Sequence, residues 1–384
     1  MTTLLLRCGR CGHPAPPDPA AWRCPCGGPW ALKPGGVSFR REALRGAPAS
    51  LWRYREALPV SGPPVTLGEG MTPLVPARDR GLLFKLESAN PTGSFKDRGA
   101  AVLLTALVGA GVREVVEDSS GNAGAAIAAY SARAGIAAKI YVPEATSRSK
   151  VTQIEAYGAR VVRVAGTRED VARAAQAAPG TYASHCWNPV FFHGTKTLAY
   201  ELWEQLDWRA PDWVVAPVGH GTLLLGLALG FRELRDAALI PRLPGLVAVQ
   251  AAACAPLAGP ALGLTTGSGE TLAEGIRVRQ PVRGDEIKAA VHESGGRWLV
   301  VEEAEIGAAW RRLGREGLFV EPTAAVAPAA AWRLRDRAGV DPREIVVVPL
   351  TGHGLKAGVA PSPPRLSLPP RPPRQRQQRR QGAA

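Results

Sequence analysis

The sequence predicts an α/β fold built on open parallel sheets, and three observations carry that expectation. Short apolar runs of strand length recur between residues 82 and 350, and most are followed by a longer helix-compatible run. Strands separated by helices pair in parallel through right-handed crossovers. Turns of small residues stand between strand and helix, where open α/β sheets gather their ligands. A hydrophobic share of 46% and a charged share of 21% suit a globular core, and 384 residues suit two domains or one large domain with additions.

The first ten residues carry three leucines before Arg7 and Cys8, which is no export signal, so a cytoplasmic location with reduced thiols is expected. Cys8, Cys11, Cys24 and Cys26 follow the spacing C-x2-C, twelve residues, C-x-C. Two turn-borne thiolate pairs are how a zinc-knuckle-like segment, here residues 1–30, holds a structural tetrahedral zinc. Reduced cysteines without metal are the alternative. No interleaving of aromatic and basic residues points to nucleic acid. Residues 31–66, rich in Pro, Gly and Arg, read as a linker or wrapping arm.

Strands are expected at 82–86, 114–117, 138–142, 160–164, 213–218, 246–251, 299–301 and 345–350. Helices are expected at 99–108, from 122 to about 134, and at 147–157, 168–178, 193–206, 303–315 and 324–338. The uncharged run 213–231 is long enough to cross a membrane, but Pro217 and the glycines at 219 and 221 divide it into strand, turn and buried helix. No membrane association is expected. Residues 361–384 hold six arginines and no acid, and read as a disordered basic tail that is either a solvated extension or a contact for acidic surfaces.

Four turns are candidates for one site. Residues 90–99 place Lys96 at the mouth of a helix, where the helix N-terminus disfavours a cation and eases deprotonation of a nucleophilic amine. Ser119, Ser120, Gly121, Asn122 and Ala123 open the next helix and can hold a carboxylate through amides and hydroxyls. Gly219, His220, Gly221 and Thr222 can turn their amides toward one anion, with a helix N-terminus behind them; by themselves they read equally as a capping turn. Thr351 offers a neutral hydroxyl after the last strand. A lysine, a phosphate cradle, a carboxylate loop and a neutral partner together suit pyridoxal phosphate with an amino-acid substrate.

These motifs resemble those of fold-type-II pyridoxal-phosphate enzymes, and among them the threonine synthases. The stretch Asn90-Pro91-Thr92-Gly93-Ser94-Phe95-Lys96-Asp97-Arg98 resembles their Schiff-base lysine motif. Ser119 to Asn122 resemble their substrate loop, and Gly219 to Thr222 their phosphate loop, in which Asn is common where His220 stands. The segment from Thr351 to Lys356 resembles the one whose threonine faces the pyridine nitrogen, and Asn188-Pro189 with Gly194 to Thr197 resembles another family segment. The resemblance implies two open parallel-sheet domains, a large one over 67–100 and 191–360 and a small one over 101–190. It also implies a homodimer and conversion of O-phosphohomoserine to threonine and phosphate. Lys96 would carry the cofactor, with Phe95, Asn122, Gly219, His220, Gly221, Thr222 and Thr351 around it. Where these synthases typically place an arginine two residues past Asn-Pro, this chain has Phe191, which removes a bidentate phosphate contact. Serine/threonine ammonia-lyase, β-replacement and racemase activities therefore stay open, as does a non-catalytic binding protein.

Overall fold

The computed structural model describes residues 6–357 apart from 38, 79–80, 266, 268 and 337–339; the expected tail at 361–384 lies outside the described residues. A six-stranded sheet has the order β1-β2-β10-β7-β8-β9, formed by β1 (Leu74–Pro76), β2 (Leu82–Lys85), β7 (Trp213–Pro217), β8 (Gly245–Ala251), β9 (Arg297–Val301) and β10 (Val346–Pro349). All its pairs are parallel except β1 with β2. A four-stranded parallel sheet has the order β5-β4-β3-β6, from β3 (Glu114–Glu117), β4 (Ala137–Pro143), β5 (Arg160–Val164) and β6 (Thr181–Tyr182).

The helices are α1 (Arg41–Leu44), α2 (Lys96–Gly109), α3 (Asn122–Ala134), α4 (Arg148–Ala156), α5 (Arg168–Ala177) and α6 (Pro189–Thr195). They continue as α7 (Thr197–Gln205), α8 (Thr222–Asp236), α9 (Ala258–Leu262), α10 (Gly284–Glu293), α11 (Glu303–Arg315) and α12 (Pro322–Asp336). Strand alternation sorts the large sheet between two cores. Val214, Ala216, Leu246, Ala248 and Val347 face one core with the helices α2, α6, α7 and α8. Val215, Val247, Val249, Val346 and Val348 face the other with α11 and α12. Both faces being covered explains why β7 and β10 read as continuous apolar runs and β8 as one broken only at Gln250.

The structure amends several expectations. The helix expected at 193–206 begins earlier, at Pro189, with the Asn188 side chain capping Val190 N, and it is split at Lys196 into α6 and α7. Lys196 is fully buried and donates to Glu233 Oε1 at 2.9 Å and Ala57 O at 2.8 Å, a structural tie. The stretch 31–66 is a wrapping arm, not a spacer: a 3-10 helix, Leu51–Ala57, buries Trp52 and Tyr54 in the first core. α2 runs unbroken across 100–101, the expected domain boundary. The strands β1 and β6 and the helices α1, α9 and α10 add to the expected set; β1 and β6 are three and two residues long, too short for a periodicity to register.

A buried ionic network holds α2 in place. Arg98 donates to Glu87 Oε1 and Oε2 at 2.7 Å each and to Glu201 Oε2 at 2.6 Å, and Lys85 Nζ reaches Glu201 Oε1 at 2.5 Å. All four side chains are fully buried, so each charge depends on the others. Gly99 and Gly194 let α2 and α6 approach closely. A Cβ on Gly194 would lie 2.0 Å from Arg98 O, and one on Gly99 would lie 2.2 Å from the Phe191 ring. The start of α2, where Lys96 sits, is thus fixed by charge on one side and backbone packing on the other.

Candidate active site

The strands β2, β3, β7 and β10 all end at one edge, and the turns that follow them line a single cleft of about 1550 Å³ between the two sheets. Lys96, Phe95, Ser119, Ser120, Gly121, Asn122, Ala123, Gly219, His220, Gly221, Thr222 and Thr351 all line it. The candidate site residues expected from sequence are therefore brought together from four turns, apart from the cysteines, which form a separate cluster.

Lys96 is the first residue of α2, half-buried, and its Nζ donates to Thr222 Oγ1 at 2.8 Å. The amine lies 4.6 Å from the centre of the Phe95 ring. Burial lowers its pKa to about 8, opposed by the charges of Cys186, Glu117 and Glu321. Desolvation by the cleft walls, rather than the helix end, is thus the main cause of the easier deprotonation expected from sequence.

Gly221 caps α8 with φ of +76°, and a Cβ there would stand 2.5 Å from Ile287 Cδ1. Gly221, Thr222 and Leu223 all line the cleft, so the helix start whose first amides lack intrahelical partners forms part of its wall. Among the described residues, the buried hydroxyls of Thr351 and Ser94 and the Nδ1 of His220 have no hydrogen-bond partner. Buried polar atoms normally find partners, and Thr351 and His220 line the cleft, so these two are groups poised for a ligand. A lysine amine, an amide cradle and an unpartnered neutral hydroxyl fit the three recognition points of pyridoxal phosphate. Asn122 Nδ2 donates to Glu321 Oε1 and Oε2 at 3.0 and 3.1 Å, so the small-sheet side of the cleft is tied to the large-sheet side.

Sequence reasoning missed a carboxyl–imidazole pair beside the cleft. His185 Nδ1 lies 2.6 Å from Glu117 Oε1. Burial pushes Glu117 up to about 8, tempered by Lys96, and holds His185 down at about 3, so desolvation disfavours the charged form of each. Burial raises Asp118 to about 6, and its Oδ1 accepts from Tyr182 OH at 2.8 Å. Glu117 reads as the last residue of an ordinary strand, and only the fold reveals that it lies buried against His185, which lines the cleft. Phe191 is fully buried against Gly99, 5.8 Å from Lys96 Nζ.

The cysteine cluster stands apart. The four Sγ atoms of Cys8, Cys11, Cys24 and Cys26 lie within 4.8 Å of one another, with Cys8–Cys26 at 3.4 Å and Cys11–Cys24 at 3.7 Å. Tetrahedral Zn–S bonds of about 2.3 Å require sulfur separations of about 3.8 Å, so the set fits such an ion. Its segment also buttresses the cleft wall. Trp22 packs edge-on against Tyr182 and Trp187 at 4.8 and 5.4 Å. The buried Arg283 donates to Trp30 O at 2.9 Å, Cys186 O at 3.0 Å and Trp187 O at 2.7 Å.

Comparison with known proteins identifies the family and the fold. The profile of the pyridoxal-phosphate dependent enzyme family matches residues 65–352. Threonine synthase of Methanocaldococcus jannaschii is 34% identical over 92% of this chain and 93% of its own length. That of Synechocystis is 37% identical over 80% and 84%. Among solved structures, a T.th. threonine deaminase superposes with a TM-score of 0.63 at 26% identity, over 76% of this chain and 94% of the deaminase. Maize serine racemase, 23% identical with a TM-score of 0.66 over 83% and 94% of the two chains, shares the fold. No helix among the described residues is long and apolar enough to cross a membrane.

Proposed function

Because the chain belongs to the pyridoxal-phosphate dependent enzyme family and is threonine synthase-like along most of its length, we propose that it converts O-phosphohomoserine and water to threonine and phosphate, with Lys96 as the cofactor-bearing lysine. The observation that carries this reading is the convergence of Lys96, the Gly219–His220–Gly221–Thr222 turn and the unpartnered Thr351 hydroxyl on one cleft. Bound there, pyridoxal phosphate would supply an electron sink for charge developing at the substrate α-carbon. The chain's own residues supply the rest. The amides at the N-terminus of α8 and the Thr222 hydroxyl would hold the cofactor phosphate. Thr351 would meet the ring nitrogen as a neutral partner, and Phe95 and Asn122 would flank the ring. Ser119, Ser120, Gly121 and Ala123 would hold the substrate carboxylate at the start of α3. Lys96, poised near neutrality at about 8, would take and return the α-proton.

One feature favours a second reading, elimination from serine or threonine: Phe191 lies buried where a substrate-phosphate arginine is expected. The cysteine cluster we read as a structural zinc site, four ligands leaving no open position for catalysis. Reconstitution with pyridoxal phosphate tests the central assignment. The protein should gain the visible absorbance of a lysine-bound cofactor and Lys96→Ala should lose it; an unchanged spectrum in the variant would remove Lys96 from that role.

A further inference from the structure

Phe191 contributes no charge to the cleft, yet a substrate ending in a phosphate monoester needs cations there. We propose that Arg168 and Arg277 form a second anion subsite of the cleft and bind that terminal phosphate; this rests on the phosphate-ester reading given above. The two arginines come from opposite sides: Arg168 opens α5, beside the four-stranded sheet, and Arg277 follows the 3-10 turn Glu274–Ile276, beside the six-stranded sheet. Both line the same cleft as Lys96. Their segments meet across it, with Arg168 Nη1 donating to Arg277 O at 3.5 Å.

Arg168 has capacity to spare. Its Nη2 stands 3.8 Å from Glu274 Oε1, beyond a well-made hydrogen bond, and its side chain is 48% exposed. Glu274 is already engaged by Lys150, which lines the cleft as well. Arg277 Nη1 reaches Glu270 Oε1 at 3.1 Å, but Glu270 is 95% exposed, and a solvent-facing pair of this kind yields readily to a dianion. Burial, then the charges around them, keep the imidazoles of His185 and His220 neutral, and both Lys96 and Arg168 are among those charges. The two rings, 5.7 Å apart, line the same cleft as Lys96, Arg168 and Arg277. An amino acid held by its α-carbon near Lys96 would extend its side chain past the imidazoles toward Arg168. Two guanidinium forks from different walls suit a tetrahedral phosphate, which accepts paired N–H donors along more than one edge.

The test uses the holoenzyme and its Arg168→Gln and Arg277→Gln variants, with equilibrium binding and KM for O-phospho-L-homoserine and binding of L-homoserine as the uncharged comparison. The parent should prefer the phosphate ester. Each variant should lose about 10- to 100-fold of that affinity, keep its L-homoserine affinity within about twofold and retain the parental cofactor spectrum, and Arg168→Lys should recover part of the loss. With the parent preferring the ester, variants that bind it within about twofold of the parent overturn the subsite alone. Variants that lose ester and L-homoserine equally overturn it too, since the arginines then serve the cleft as a whole. A parent that shows no preference for the ester overturns the phosphate-ester reading and the subsite with it.

Discussion

Gly221→Ala tests whether the turn before α8 is a shaped anion cradle. Gly221 has φ of +76°, a region that costs an L-residue roughly 1–2 kcal/mol. The added methyl would also meet Ile287 Cδ1 at 2.5 Å, and Ile287 is fully buried in the first core. Relief requires the turn to swing or Ile287 to repack, so a total of about 2–3 kcal/mol is expected, part of it appearing as misdirected α8 amides. Each 1.4 kcal/mol that falls on the cradle lowers cofactor affinity about tenfold. Gly263→Ala is the control: its φ is +66°, but nothing lies within 4 Å of its Cβ position. Titration of the apo protein with pyridoxal phosphate, followed by visible absorbance, should show a 10- to 100-fold weaker Kd for Gly221→Ala and a parental Kd for Gly263→Ala. Both variants should melt lower than the parent. A parental Kd in Gly221→Ala would refute the cradle, and an equal loss in both would show that general destabilisation accounts for the effect.

Three further outcomes follow from the same structure. Arg98→Met strands the buried carboxylates of Glu87 and Glu201, and chemical denaturation should show a loss of about 3–5 kcal/mol; a smaller loss than 1 kcal/mol would mean the network is dispensable. The depressed Lys96 pKa means the folded apo protein binds fewer protons than the unfolded chain between about 8 and the ordinary 10.5, so apo stability should rise with pH across that window, and Lys96→Met should flatten the contribution. Cys24→Ser should abolish one bound zinc per chain by metal analysis and, through Trp22 and Arg283, raise substrate KM more than it lowers kcat; retained zinc would disprove the four-sulfur site.

Much of the fold is legible in the sequence because buried parallel strands are mostly apolar runs. Val-Val-Val-Pro of β10 and the seven buried residues of β8 announce themselves. The site is legible where chemistry demands rare residue combinations, as in Gly219-His220-Gly221-Thr222 or a lysine after a small-residue turn. What stays hidden depends on long-range placement. Nothing local distinguishes Glu117 from any strand-end acid, or Arg168 from any basic residue at a helix start, until the two sheets face each other. Nor does the 31–66 arm betray its burial, since Trp52 and Tyr54 stand among prolines and arginines with no helical period. The split at Lys196 falls among Gly194, Thr195 and Thr197, weak helix formers, and the buried pairing of Lys196 with Glu233 that accompanies it depends on long-range placement.

The most direct measurement is turnover by the cofactor-loaded protein. Incubated with O-phospho-L-homoserine, it should release inorganic phosphate and form threonine in equal amounts, and Lys96→Ala should form neither. Formation of a 2-oxo acid from serine or threonine, with no threonine from the phosphate ester, would contradict the threonine synthase reading.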